Sequence, residues 1–536
     1  MADSQPTAHR IEVPRPAPAF EPTHKWLVAI AVMLGATLEI LDSSIVNVSL
    51  PHMQGSFSAG VDQIAWVLTS YLVAAGIMIP MTGWISSRFG RKRYFLASMT
   101  GFVIASVMCG AAQSLDQLVV FRLLQGFAGA AMIPSSQAIL METFPPNEQQ
   151  MAMAVWGIGL QLAPIAGPTV GGWITDNLNW RWNFYINVPI GAAALLMVYT
   201  FVHDPAYLRQ RRAKGGRVDY LGIICLVLGL GLMEIVLDRG QRADWFAAPW
   251  VWYFTAASAA SFIILIIHEL RFSEPILDLR IMAIPAFDLS VGLVVAMSFA
   301  LYGTGLLNPI FLQELMGYTA WKAGLVLAPR GLGTMASMML IGQLARFKFD
   351  TRPLVGVGFI LMATSLWTMS KWNLSVSSWV VIWPSITMGV GMGFIFPTLS
   401  AATLSVVNRE RMGYAASLYG MMRNAGAAIG ISYMTTALVS HQQIHQSYLV
   451  EHFSVFDAWR MSNAAPRMAG AHGFYYMPQM TGGAHQGLAG VYGMIQQQAS
   501  MLAFNDIYRV LAIWMVLLIP SFLLLRRGAA SRSAGH

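Results

Sequence analysis

The chain has 536 residues, of which 56% are hydrophobic and only 11% charged, with a formal net charge of +8, where a soluble domain carries about 25% charged residues. That composition excludes a soluble enzyme or binding domain, because the apolar excess needs lipid as its solvent. It also excludes a nucleic-acid-binding role for the basic residues, which sit in short clusters between apolar runs, as cytoplasmic loops do.

In chain order, residues 1–25 are proline-rich, lack an apolar core and read as a disordered tail, not a signal peptide. Apolar runs then place fourteen spans at 26–50, 64–82, 94–112, 117–141, 151–172, 183–202, 219–237, 249–268, 286–313, 321–345, 353–370, 378–405, 413–440 and 506–525. Runs of about 20 residues cross a hydrocarbon core of about 30 Å, so the chain reads as an all-α membrane protein. Most lysines and arginines fall in the even-numbered gaps and the tails, which puts both termini in the cytoplasm. Cys109 and Cys225 lie within apolar runs, so no disulfide framework is expected.

In the first span, EILDSSIVN puts Glu39 and Asp42 three residues apart on one helical face. An intramembrane carboxylate costs roughly 2.5–3.5 kcal/mol to insert and is placed toward a cavity or a partner. Two neighbouring ones repel, so at least one is expected to take up and release a proton. The alternative is a carboxylate held permanently by an arginine. Arg122, in VVFRLLQGFAGA of the fourth span, is suited to stabilise an ionised Asp42 and to release it on protonation.

The second span leads into GWISSRFGRKR, with Gly83, Arg88, Gly90, Arg91 and Arg93, and the tenth into GQLARFKFDTR, Gly342 to Arg352. Two such hairpins point to a duplicated half, although any tight cytoplasmic turn wants glycine and arginine. In the fifth span Gly159, Ala163, Gly167 and Gly171 recur every four residues, a ridge of small side chains for close helix approach. Pro164 and Pro168 share that stride and leave carbonyls without helical partners, so the helix is expected to bend. A tightly packed static span would carry the same ridge.

Later in the chain, Glu234 ends the seventh span beside an interfacial DRGQRADWF, and Arg330 and Arg423 are embedded with no carboxylate assigned to them. Residues 441–505 form one long polar segment, expected outside, with His441, His445, His452, His472 and His485. His441 and His445 have helical i,i+4 spacing, but no carboxylate or cysteine completes a familiar ligand set, so no metal is expected. Walker loops, HExxH and nucleophile elbows are missing from the sequence, so neither an enzyme nor a cofactor is expected.

Taken together, LDSSIVNVSLP (Leu41 to Pro51), GWISSRFGRKR, FRLLQGFAGA, APIAGPTVGG and WRWNFYINVPIG (Trp180 to Gly191) resemble the motifs of the major facilitator superfamily. The resemblance is to its fourteen-helix drug:proton antiporter branch of the EmrB/QacA type, with LDRGQRADWF and the long last outer loop similar to the EmrB group. It implies two six-helix bundles with two intervening helices. The boundaries are then an N-terminal bundle at 26–203, a cytoplasmic linker with the two extra helices at 204–270, a C-terminal bundle at 271–527 containing the periplasmic loop 441–505, and a tail at 528–536.

By that resemblance Asp42 is the coupling carboxylate, with Arg122 as its modulator and Glu39 beside it. Pro164, Gly167, Pro168, Gly171 and Gly172 form the hinge of the fifth helix, a pattern that antiporters carry and symporters generally do not. The implied activity is proton-driven export of small amphipathic compounds from a bacterial inner membrane, with a periplasmic membrane-fusion adaptor and an outer-membrane channel as partners. A non-transporting scaffold and a proton-coupled uptake symporter are the alternatives. The sequence departs from the family pattern at Ser87, where aspartate is frequent, at Ala163 in place of glycine, and at Ser44 in place of threonine.

Overall fold

In a computed structural model the described residues are 24–204, 218–272, 275–346, 352–451 and 483–524. Nearly all of the tail expected at 1–25, the basic linker from Arg209 to Arg217, the middle of the polar segment with His452 and His472, and the tail 528–536 lie outside them.

Every regular element among the described residues is helical. Fourteen long helices follow one another: α1 Lys25–Phe57, α2 Trp66–Phe89, α3 Arg91–Ala111, α4 Leu115–Thr143, α5 Gln149–Asn177, α6 Trp182–Phe201, α7 Tyr220–Arg239, α8 Pro249–Arg271, α9 Pro285–Leu315, α10 Ala320–Arg346, α11 Arg352–Met369, α12 Ser378–Ser405, α13 Met412–Glu451 and α14 Gly483–Leu518. Local chemistry sets several ends. Ser114 caps α4 by accepting from the Gln117 N–H at 3.3 Å, and Asp219 caps α7 by accepting from Gly222 at 2.8 Å. Proline opens α8 and α9, where a missing N–H costs nothing.

Helices α1–α6 form one bundle and α9–α14 a second, with α7 laid against α2 and α13, and α8 against α7. The outward faces are apolar, as contact with lipid requires. On α8 they carry Trp252, Tyr253, Ile263 and Ile267.

Thirteen of the helices are long and apolar enough to cross a membrane. The remaining one, α13, carries Arg423, Asn424 and a series of glycines and alanines. It tolerates them because α2, α4, α9 and α14 enclose it, so little of its first half meets lipid. Gly426 brings it against the backbone of α9, where a Cβ would come 2.6 Å from the Val295 carbonyl oxygen.

The two bundles meet chiefly along two helix pairs, α2 with α13 and α5 with α10, with α4 against α13 and α5 against α12 beside them. Gly83, which opens the first basic hairpin, sits so close to α13 that a Cβ would lie 2.7 Å from Tyr414 Cα, and Gly342, which opens the second, faces Met151 of α5. The leading glycines of the two similar hairpins thus occupy matching places on the interface, as two halves related by duplication would put them.

The end of the chain differs from expectation. The segment 441–505 was read as a polar loop, but α13 runs on to Glu451 and α14 begins at Gly483, not at 506. With 40 residues in α13 and 36 in α14, at 1.5 Å each these helices are about 60 and 54 Å long, well beyond a core of about 30 Å. Glutamines and histidines on the extension mask its helical continuity, because the apolar signal stops where the lipid does.

Candidate functional site

Asp42 lies in mid-α1, fully enclosed, and its carboxylate is the centre of a buried polar network. Arg122 of α4, also without solvent exposure, donates from Nη1 to Asp42 Oδ2 at 2.6 Å. Gln125, one turn on from Arg122, donates from Nε2 to Asp42 Oδ1 at 2.9 Å, and Asn187 at the start of α6 donates to the same oxygen at 2.6 Å. Arg122 is steadied in turn by Gln125 Oε1 at 2.8 Å, by the Val67 carbonyl at 3.2 Å and by the face of Tyr71, 4.3 Å from the guanidinium carbon. Asn187 also donates to Ser106 Oγ at 2.9 Å, and that hydroxyl donates to the Phe184 carbonyl.

This is the coordination of an ionised carboxylate: three side chains donate to it. A proton on Asp42 needs an acceptor, so its arrival requires Arg122, which can only donate, to withdraw or the Gln125 or Asn187 amide to turn its oxygen toward the carboxyl. The donors come from α4 and α6, and α2 and α3 steady them through Val67, Tyr71 and Ser106, so the state of one residue depends on how five helices pack.

Glu39, expected to work beside Asp42, turns elsewhere. It is nearly enclosed, meets the backbone of Ile133 on α4 and shares its electrostatic field with Arg423 of α13, from the other bundle. One carboxylate oxygen of Glu39 and the Nε of Arg423 are buried without a hydrogen bond among the described residues. Arg423, for which no carboxylate was foreseen, lies within electrostatic reach of Glu39, with no ion pair between them among the described residues. Arg330 is half-buried on α10 with its charge toward the Tyr508 hydroxyl of α14. Glu234 sits half-buried on α7 above Asp238, which accepts from Thr69 Oγ1 at 2.9 Å and pairs with Arg239 Nε at 3.2 Å. Neither Arg330 nor Glu234 joins the Asp42 network.

The glycine ridge of α5 faces α1. A Cβ on Gly159 would strike Met33, one on Gly167 would strike Ser44, and one on Gly171 would lie 3.1 Å from Ile45 Cα, while Gly172 has only Val48 at 3.9 Å. The ridge therefore lies inside one bundle, and another face of α5 makes the contact between bundles. There Met151 meets Gly342, Gly157 meets Met338 and Ile165 meets Gly331. α5 continues helically through Pro164 and Pro168, with Pro164 exposed. Ser44 stands two residues from Asp42, so α5 joins the carboxylate's own helix to the interface.

In the basic hairpin Gly90 adopts φ +93°, a conformation glycine allows, and Asp204 accepts from the Lys92 N–H at 2.8 Å to fix the turn. Arg91 forms a buried ion pair with Glu142, Arg88 lies over the Trp84 ring, and Arg93 is exposed. Ser87, which stands where aspartate is frequent, shares a 3.2 Å hydrogen bond with the Tyr414 hydroxyl across the bundles. The contact across the bundles at this position is thus a neutral hydrogen bond.

Sequence reasoning missed Gln125, Asn187 and Ser106. The first was findable, three residues after Arg122 on the same helical face. The asparagine and serine come from distant segments, and no local spacing ties them to Asp42.

Comparison with known proteins bears on the same residues. The Major Facilitator Superfamily model matches residues 32–431. The chain is 36% identical over 433 residues to the multidrug export protein EmrB of Escherichia coli (strain K12), covering 80% of this chain and 83% of that one. It is 32% identical over 512 residues to the fatty acid resistance protein FarB of Neisseria gonorrhoeae, covering 95% and 97%. Among solved structures it is similar to the human organic anion transporter MFSD10 (TETRAN), with a TM-score of 0.59 at 15% identity over 92% of this chain and 100% of that one. It is also similar to the proton:xylose symporter XylE, with a TM-score of 0.57 at 14% identity over 94% and 97%. At such identities the two structures share the fold alone.

Proposed function

The chain belongs to the major facilitator superfamily, and from that membership we infer that it is a proton-driven multidrug exporter of the EmrB type. Small amphipathic compounds leave the cytoplasm in exchange for protons. The observation that carries the reading is the buried Asp42 with three side-chain donors, on a helix that α5 links to the interface between the bundles. Transport by this chain involves no chemical step of its own; it is gated by whether Asp42 holds a proton.

The proposed cycle is built on the Asp42–Arg122 pair. With the bundles joined through α2–α13 and α5–α10, Asp42 is ionised, held by Arg122 and shut away from water. Access from the far side lets a proton neutralise it, Arg122 lets go, and α1 shifts against the glycine face of α5 until the bundles rock. Glu39 and Arg423, one from each bundle, part as they do so, and Glu39 is placed to receive a second proton or a cationic substrate. One proton moving down about 100 mV supplies about 2.3 kcal/mol, enough for roughly a 40-fold substrate gradient.

By the positive-inside rule the end bearing the Arg88–Arg93 hairpin faces the cytoplasm, both termini lie there, and the overhanging α13–α14 pair projects into the periplasm. On that reading the chain is a multi-pass inner-membrane protein whose α13–α14 extension docks a periplasmic membrane-fusion adaptor and, through it, an outer-membrane channel. Support for docking is the similarity to EmrB and the length of helix beyond the bilayer. Replacing residues 445–500, the overhanging ends of α13 and α14 with the stretch between them, by a short Gly-Ser linker is expected to leave transport in vesicles intact and to abolish resistance in two-membrane cells. Resistance at the parental level sinks the docking.

Dye efflux from proteoliposomes under an imposed pH gradient tests the exporter reading. Asp42→Asn is expected to abolish coupled efflux while the protein stays folded, and unchanged efflux refutes the assignment.

A further inference from the structure

We propose that His441, His445 and Asp506 form a transition-metal site of the zinc class that clips α13 to α14 at the base of their extension. His441 Nδ1 lies 3.3 Å and His445 Nε2 2.7 Å from the same carboxylate oxygen, Asp506 Oδ2. The three ligand atoms all fall within 4.8 Å of one another. Two imidazoles at i,i+4 on one helix with a carboxylate from the facing helix are a ligand set that zinc accepts, and they leave a fourth position for water.

The geometry needs little adjustment. Tetrahedral bonds of about 2.0–2.1 Å set ligand atoms about 3.4 Å apart, so the His441 separation of 3.3 Å fits as it stands and the His445 separation of 2.7 Å must widen by about 0.7 Å. Arg509 Nη1 stands 3.6 Å from the other oxygen, Oδ1, and orients the carboxylate with Oδ2 toward the imidazoles, an outer-shell arrangement that ligating carboxylates commonly have. Calcium and magnesium are disfavoured because they take oxygen ligands. Two neutral imidazoles and one carboxylate suit a divalent ion of the zinc, cobalt or nickel group. A second bond beside the cluster, Gln446 Nε2 donating to Tyr492 Oη at 2.8 Å, holds the same helix pair without metal.

The experiment is metal loading of the full-length protein, purified in detergent with a histidine-free tag. After chelator treatment the protein is titrated with Zn2+ against a chromophoric competitor, and the metal retained per chain is measured by mass spectrometry. The parent is expected to retain one more zinc equivalent than His445→Ala or Asp506→Asn, and with Co2+ to show the intense visible absorption of a tetrahedral site. Gln446→Ala loosens the same helix pair and is expected to keep its zinc. Equal retention by the parent and both ligand variants, or equal loss in Gln446→Ala, overturns the proposal. So does a parent without the cobalt absorption, whatever the variants do.

Discussion

The two bundles solve the same packing problem with different chemistry. In each, the first helix is joined to the sixth by a buried polar bond: Asp42 of α1 to Asn187 of α6 at 2.6 Å, and Asn308 of α9 to Tyr508 of α14 at 2.7 Å. The first bond belongs to a network with an arginine and an acid; the second is neutral. A neutral hydrogen bond contributes about 1 kcal/mol and has no proton to exchange near neutral pH. The difference teaches that equivalent first-to-sixth helix contacts are made with a charged network in one bundle and with a neutral hydrogen bond in the other.

Four substitutions probe that contrast, in falling order of effect. Asp42→Asn removes the exchangeable proton and is expected to reduce pH-driven efflux to background. Arg122→Ala leaves a buried carboxylate without its counter-charge, a loss of about 3–5 kcal/mol; thermal unfolding in detergent should occur at a markedly lower temperature, with Arg122→Lys in between. Gly167→Ala drives a methyl into Ser44, and overpacking of this kind costs about 1–3 kcal/mol. It is expected to slow efflux several-fold, with partial rescue by Ser44→Gly in the double variant. Tyr508→Phe, which removes the neutral bond of the second bundle, should lower stability by about 1 kcal/mol and leave the ratio of protons to substrate unchanged. If Tyr508→Phe uncouples transport as Asp42→Asn does, the contrast between the bundles is broken.

The fourteen spans were legible in the sequence because lipid imposes one simple demand, a long apolar run, and each span met it or nearly did. Asp42 and Arg122 were legible for the converse reason, since charge amid apolar residues has few innocent explanations. What stayed hidden was pairing across long separations. Glu39 and Asp42 share a helical face, yet only Asp42 pairs with Arg122, while Glu39 lies within electrostatic reach of Arg423 from the other bundle. Asp506 escaped notice as a partner of His441 and His445 for the same reason, sitting on another helix beyond the polar segment. The glycine ridge was foreseen, but its opposing surface, α1 and not the second bundle, depends on helix order around the bundle.

The enclosed, polar character of α13 carries a consequence for biosynthesis. A segment that holds an arginine, an asparagine and several glycines partitions poorly into bilayer on its own, and its surroundings in the finished protein come from both halves. During synthesis its slot is complete only once α9 stands beside α2 and α4, which makes its entry a late, assembly-driven event. Variants that loosen α9 or α2 should then surface first as chains degraded during insertion, before any change in pumping can be seen.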